Sequence, residues 1–221
     1  MIHRRPARLR SAGAAAFPVA LGLVLCASVV PARAAVFYDV TLDLGLSDDA
    51  RIFLNVTNDF FAPPPAVAVE LVRRCPVPED DYPVILYLAR VSKRPPQEIL
   101  RLRVDYLSWS DIMDRLNIPP SVLFVGIDRD PGPPYGKAWG SWRKHRRGEG
   151  MRLRDRDVAE LVKLQIAARY QRVSPYTIVS VRQKGITVEQ YVADKNRAKY
   201  PKVKGASRGK GKGHSKPRGH D

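Results

Sequence analysis

The sequence feature that most constrains the fold is an internal duplication. Residues 81–118 align with residues 160–197 at a constant offset of 79 positions. The matched pairs include Pro96 with Pro175, Ile99 with Ile178, and Arg103 with Arg182. Apolar residues in both copies recur at helical spacing, as on the buried face of an amphipathic helix. The duplication therefore predicts two helical units of one design, separated by a connector.

The start and stop signals of helices recur in the two copies. In the first copy Asp81 is the expected N-cap, Pro95-Pro96 separates the first two helices, and Ser108 opens the third. In the second copy Ser174-Pro175 opens a helix, and Gly185 is a suitable C′ residue. Thr187 and Gln190 there form a capping box. We predict a mainly α fold with two similar three-helix, helix-turn-helix-like units in one domain.

The segment before the first unit is harder to interpret. Apolar residues alternate at even positions over 36–46, which is typical of a strand. The sequence offers no partner strand, so an extended arm packed on helices is the alternative to a short N-terminal strand. After it, Ser47-Asp48-Asp49 is expected to cap a helix that carries Ile52, Phe53 and Val56.

The first 34 residues have the pattern of a signal peptide. Four arginines within residues 1–10 precede an uncharged run over 11–32, and Ala32-Arg33-Ala34 fits a cleavage site. We expect cleavage near Ala34-Ala35 and a periplasmic or extracellular protein; an uncleaved anchor is the alternative. The expected segments are the signal peptide (1–34), an N-terminal arm and helices (35–80), unit one (81–120), the connector (121–153), unit two (154–195) and a tail (196–221).

The positive charge of the chain is concentrated at its two ends. Of a net charge of +16, five charges belong to residues 1–34 and nine to residues 195–221, which leaves +2 between them. The end of the chain has Gly, Ser and Pro between its charges and no apolar periodicity, so we predict a disordered basic tail. Its expected partner is an anionic polymer, glycan or membrane surface, bound through Lys202, Lys204, Arg208, Lys210, Lys212, Lys216 and Arg218.

The connector holds the best candidate for a ligand site. Over residues 127–150, aromatic residues alternate with glycines beside several cations. Aromatic rings next to cations suit sugars, anionic glycans or single-stranded nucleic acid. We favour the alternative that the aromatics fold back and pin the loop onto the helices. The candidate ligand-binding residues are Tyr135, Lys137, Trp139, Trp142, Arg143 and Lys144.

Motifs that carry chemistry are missing from the sequence. It has no G-x-S-x-G, no H-E-x-x-H, no phosphate loop and no pair of cysteines in residues 35–221. Asp128 and Asp130 do not complete an EF-hand, because Trp139 stands where that loop needs Glu. We therefore expect no catalytic residues, no cofactor and no metal site, and interpret Cys75 as a buried small residue.

The first unit resembles the helix-turn-helix of resolvase-type DNA-binding domains. In such domains the helix after the turn reads the major groove with polar side chains. The matching segment here, residues 121–126, contains no Arg, Lys, Asn or Gln. We therefore expect no sequence-specific DNA binding from an exported protein, and keep it as an alternative if the protein is not exported.

Five segments together resemble a family of uncharacterised, predicted exported bacterial proteins. They are SDDARIFLNVTNDFF, RPPQEILRLR, LSWSDIM, GIDRDPGPPYGKAWG and RDRDVAELVKLQ, and the resemblance covers residues 46–193. It implies secretion and a shared helical fold, and it supplies no activity. The family often has Gly where this chain has Tyr106, so the end of that helix is expected to differ here.

These features lead to two expectations of different class. The first is an exported, non-catalytic cell-envelope protein whose helical domain and cationic tail bind an anionic surface or glycan. The second is an enzyme of unrecognised type that acts on an envelope glycan through the connector.

The export expectation is testable by intact mass. The protein recovered from the envelope or medium should begin at or near Ala35, because cleavage follows the small-x-small pattern. A cytoplasmic protein that retains Met1 would contradict export, and would make nucleic-acid binding through the helix-turn-helix-like units the leading hypothesis.

Overall fold

A computed structural model describes residues 32–145 and 151–200 of the chain. These residues form ten α-helices and one 3₁₀ helix and contain no strand, which confirms the mainly α fold. The helices are α1 (Ala32–Asp43), α2 (Asp48–Phe61), α3 (Pro65–Arg74), α4 (Pro78–Ser92), α5 (Pro96–Val104), α6 (Trp109–Arg115), α7 (Gly136–Lys144), α8 (Asp155–Gln171), α9 (Pro175–Gln183) and α10 (Val188–Asn196), with the 3₁₀ helix Pro120–Phe124 between α6 and α7.

The duplication is visible in the backbone. Helices α4, α5 and α6 form the first unit and α8, α9 and α10 the second, and α5 and α9 have bounds that differ by the same offset of 79. Left-handed residues stand at equivalent places in both copies: Lys93 (φ 57°) matches Arg172 (φ 54°), and Tyr106 (φ 61°) matches Gly185 (φ 83°). The two predicted three-helix units are therefore confirmed.

Several helices begin at the capping residues that the sequence predicts. The Ser47 hydroxyl accepts a hydrogen bond from the Ala50 N–H at 3.2 Å, at the start of α2. Ser108 does the same for the Asp111 N–H at the start of α6. The equivalent cap of α10 is Thr187. Each cap satisfies a backbone donor that the first helical turn leaves without a partner.

The predicted N-terminal strand is wrong, since α1 occupies this segment. Its buried residues Phe37, Val40 and Thr41 follow helical spacing, and α1 packs on α2 and α3. The alternating pattern was short enough to fit either period, and packing decided between them. The predicted cleavage point between Ala34 and Ala35 lies in the first turn of α1.

Asp81 is not the N-cap of the first unit. Helix α4 begins three residues earlier, at Pro78, and Asp81 lies inside it with no exposed side-chain surface. Its Oδ2 accepts a hydrogen bond from the Val77 N–H at 3.0 Å. The carboxylate therefore caps the helix from within, instead of from the position before it.

One hydrophobic core serves both units. Helix α4 packs against α8, and α2 packs against α10, so the N-terminal helices cover the second unit. Trp109 and Ile178, one from each unit, belong to the same cluster of buried residues. Among the described helices, none is long and apolar enough to cross a membrane.

The packed domain extends past the predicted start of the tail at residue 196. The Tyr200 ring is buried and stacks on Tyr38, and its hydroxyl donates a hydrogen bond to the Asp59 carboxylate. Arg197 forms an ion pair with Asp49 at 2.8 Å. Both contacts fasten the end of the domain to its N-terminal helices, so the domain includes residues up to Tyr200.

Tyr106 has a strained backbone conformation at the position where the second unit has a glycine, and its substitution tests the cost of that strain. It holds φ 61° with 93% of its side chain exposed, so no packing offsets the cost of a left-handed conformation. Tyr106→Gly should raise the free energy of unfolding by about 0.5–1 kcal/mol, measured by chemical denaturation.

Gly185→Ala is the matched control. A Cβ at Gly185 would meet no atom within 4 Å, so only the backbone conformation is tested there. This variant should lose about 1 kcal/mol of stability. Destabilisation by Tyr106→Gly would show that the exposed ring has a stabilising role which these contacts do not account for.

Candidate functional site

Side chains of the second unit hold the connector in place. The Tyr176 hydroxyl of α9 accepts a hydrogen bond from the Arg129 N–H at 2.9 Å. The Gln183 side chain of the same helix donates to the Pro131 carbonyl at 3.0 Å. From α8, Gln165 donates to the Val125 carbonyl at 2.9 Å. These contacts make the first half of the connector a fixed wall beside α8 and α9.

The aromatic residues of the connector pack inward. Trp139 and Trp142 lie on α7, and both contact Phe124 of the 3₁₀ helix, with ring centroids 5.9 Å and 5.5 Å away. Trp139 is buried and Trp142 is half-buried. This arrangement agrees with the favoured interpretation, in which the aromatics pin the connector and do not form an exposed platform.

A cleft opens between the connector and the start of α8, and we call it the connector cleft. Its volume is about 510 Å³, within the range typical of small-molecule sites. The connector contributes residues of the segment 130–138, and α9 contributes Arg182. The start of α8 and the residue before it contribute Arg154, Arg156, Asp157 and Glu160.

Most charges in the connector cleft are paired. Arg154 binds Asp157 through two hydrogen bonds of 2.8 and 2.9 Å. Arg182 binds Glu160 at 3.1 Å. Within the described residues Lys137 and Arg156 form no ion pair, although both line the cleft. The cleft therefore has two cations that are free to meet a ligand.

Tyr135 lines the connector cleft with a polar group that the fold does not use. Its side chain is 2% exposed, and its hydroxyl has no hydrogen-bond partner in the described structure. Burial raises the pKa of this hydroxyl far above its usual range; nearby Glu160 adds to the shift, and Arg182 opposes it. The group therefore stays neutral and can donate a hydrogen bond at any physiological pH.

A smaller cleft of about 200 Å³ lies beside the first and shares Arg156 and Glu160 with it. Here the Arg103 guanidinium binds Asp81 at 3.1 Å and Asp155 at 2.5 Å. Burial raises the pKa of the Asp81 carboxyl, and Arg103 and the Val77 N–H oppose this shift. Each carboxylate of this trio has Arg103 as its partner, so the three charged groups compensate one another.

A further ion cluster, centred on a buried lysine, joins the two units. Lys163 of α8 is buried, and its ammonium binds Asp80 of α4 and Glu189 of α10. The two carboxylates raise the pKa of Lys163 against the opposing effect of burial, so it remains charged. In the described residues no group of three or more His, Cys, Asp or Glu is placed to hold a metal ion.

The structure brings only part of the predicted site together. Tyr135 and Lys137 line the connector cleft; Arg143 and Lys144 are exposed at the far end of α7 and do not line it. The predicted tail residues Lys202, Lys204, Arg208, Lys210, Lys212, Lys216 and Arg218 lie outside the described residues. The contribution of the second unit was missed, although the sequence RLRDRD over 152–157 shows alternating charges at a helix start.

No protein-family model, curated protein or solved structure matches the chain.

The Arg103 network yields a prediction on stability and pH. Arg103→Met leaves the fully buried Asp81 without its cation, so the variant should lose roughly 3–5 kcal/mol at neutral pH. In the variant the pKa of Asp81 in the folded state lies further above its value in the unfolded state. The loss should therefore shrink as pH falls through that folded-state pKa and the carboxyl becomes neutral. Denaturant titrations at pH 4 and pH 7 measure both effects.

Arg182→Met is the control from the second copy. Its partner Glu160 retains 23% of its side-chain surface exposed, so water can hydrate the orphaned carboxylate. The loss should be smaller and less dependent on pH. Equal losses in the two variants would show that burial of the carboxylate does not control the cost.

Proposed function

We propose that the chain is an exported, non-catalytic cell-envelope protein that binds an anionic surface or glycan. The observation that carries this proposal is the one-sided charge of α7. The helix contains Lys137, Arg143 and Lys144 and no acidic residue, and all three are exposed. Because Trp139 and Trp142 pack against the domain and anchor α7, these exposed cations stand on a fixed helix.

The sequence after the packed domain supports the same partner. Residues 201–221 contain seven basic residues and one acidic residue. Basic residues near an anionic membrane contribute on the order of 1 kcal/mol each, and the attraction weakens with salt. The tail and α7 are thus two cationic regions for a polyanion or an anionic bilayer, while export rests on the signal-peptide pattern alone.

An enzyme that acts on an envelope glycan is the second candidate. It is favoured by the connector cleft, which is of ligand size and contains the carboxylates Asp130, Asp157 and Glu160. Glycoside hydrolysis needs one carboxyl group with a raised pKa and one ionised carboxylate, both within reach of the substrate. Here Asp157 and Glu160 are each bound by an arginine, and the carboxyl with a raised pKa, Asp81, is fully buried. Binding therefore accounts for this site better than catalysis.

Nucleic-acid binding through the helix-turn-helix-like units is less well supported. The segment expected to follow the turn forms the 3₁₀ helix, in which Leu123 and Phe124 are buried. Buried apolar side chains cannot reach base edges in a groove. This alternative returns only if the protein stays in the cytoplasm.

Deleting residues 201–221 tests the role of the tail. The full chain should bind heparin and anionic vesicles with an affinity that falls steeply with salt, because the attraction is between exposed charges. The truncated protein should keep its melting temperature, since it retains the contacts that Tyr200 makes with Tyr38 and Asp59, and should lose most of the binding. A full-length variant with the seven basic tail residues changed to Gln separates charge from chain length.

One outcome would move the binding from the tail to α7, and another would contradict the proposal. If the truncated protein binds with the same affinity and salt dependence, the cations of α7 are the anionic site and the tail is not needed. If the full chain binds neither heparin nor vesicles at low salt, the proposed function fails.

A further inference from the structure

We infer that the connector cleft binds an acidic sugar unit, one that carries a carboxylate or phosphate group. This inference rests on the proposed function, because it names the chemical group of the anionic partner that one defined site recognises. It also separates specific binding in the cleft from general attraction by the tail.

The first support is the pair of unused cations on the walls of the cleft. Lys137 comes from the first turn of α7, and Arg156 comes from the first turn of α8. Arg154 and Arg182 in the same cleft are already bound to Asp157 and Glu160. An oxyanion placed between Lys137 and Arg156 would meet charge-assisted donors from two sides.

The start of α7 adds to this preference for an anion. In the described structure no side chain caps it, and its first turn has no acidic residue. The residues of that turn, Gly136, Lys137 and Ala138, line the cleft. The N-terminal turn of α7 therefore borders the same space as the two cations, and the Asp130 carboxylate is its acidic neighbour.

Unpartnered donors in the wall are an independent observation. The Tyr135 hydroxyl and the Arg182 Nε are buried and have no hydrogen-bond partner within the described residues. An unmade hydrogen bond of a buried group costs free energy. Both atoms belong to residues that line the cleft, and Arg182 lies next to the Tyr135 hydroxyl. Both are donors, so they favour a ligand rich in acceptor oxygens.

Asp130 favours a sugar over a bare oxyanion. Its carboxylate is exposed in the cleft and accepts a hydrogen bond from the Gly132 N–H at 2.8 Å. The remaining acceptor capacity suits the hydroxyl donors of a sugar, which a bare oxyanion lacks. The adjoining residues Pro133 and Pro134 add an apolar wall for the C–H face of the ring.

Calorimetric titration of the full chain at physiological salt tests the ligand class. The probes are a galacturonate trimer, glucose 6-phosphate, a neutral galactose trimer and inorganic phosphate. We expect binding of at least one acidic sugar, and binding of the neutral trimer and of inorganic phosphate at least tenfold weaker. The preferred acid distinguishes a carboxylate from a phosphate. Phosphate binding as tight as that of the acidic sugars would overturn the sugar assignment, and no binding of either acidic sugar would overturn the site.

Variants locate the binding. Lys137→Gln and Arg156→Gln should each weaken the acidic sugar roughly tenfold, the expected effect of losing a charge-assisted hydrogen bond. Arg172→Gln is the matched control, because this exposed arginine lies at the opposite end of α8, about 25 Å from Arg156. Equal weakening by Arg156→Gln and Arg172→Gln would overturn the cleft as the site.

Tyr135→Phe tests the unpartnered hydroxyl. Since the hydroxyl bonds to nothing in the described fold, its removal should leave the melting temperature unchanged or raise it, while affinity for the acidic sugar falls several-fold. Unchanged affinity would overturn the role of the hydroxyl. If heparin binds the full chain and the acidic sugars do not, this inference fails and the proposed function stands; if heparin does not bind either, both fail.

Discussion

The pairing of one arginine with a carboxylate of the preceding helix sets the geometry of each helical unit. In the first unit the Arg103 guanidinium ties α5 to Asp81 of α4 and to the Leu107 carbonyl before α6, the latter at 3.1 Å. In the second unit Arg182 makes the equivalent contacts, to Glu160 and to the Ile186 carbonyl at 3.3 Å. A planar guanidinium fixes the direction of several bonds at once, which a lysine cannot do. The three helices of each unit are therefore set around one side chain.

The two copies differ because of the chain that precedes each of them. Helix α3 precedes the first unit and packs on α4 and α5. The connector precedes the second unit, and Tyr176 and Gln183 of α9 hold it by its backbone. A loop held in this way leaves space beside the first turn of α8, where the connector cleft opens. One duplicated scaffold therefore carries a candidate ligand site in only one of its copies.

Local signals in the sequence predicted the parts of the fold that depend on local interactions. The caps Ser108 and Thr187 and the paired prolines placed the starts of helices, because each acts within one helical turn. Asp81 was wrongly predicted as the N-cap, since only the three-dimensional structure shows that α4 begins at Pro78 and that Arg103 binds this carboxylate. The sequence did not predict helix α7, because its glycines weaken helix propensity. In the fold, packing on Phe124 stabilises this helix. The connector cleft was not predictable, because its two sides meet only through the tertiary contacts of the connector.

The charges of the two neighbouring clefts point to different roles. In the smaller cleft Arg103 compensates Asp81 and Asp155, so the fold itself accounts for these charges. In the connector cleft Lys137 and Arg156 have no such compensation within the described residues. Exposed unpaired cations cost little stability, but they contribute nothing to it either. Two cations, an uncapped helix start and a buried donor without a partner line this one cleft, and the fold alone does not account for the grouping. A ligand with acceptor oxygens and a negative charge would account for it. We therefore place specific recognition of an anionic ligand in the connector cleft, and general attraction to anionic surfaces in the tail.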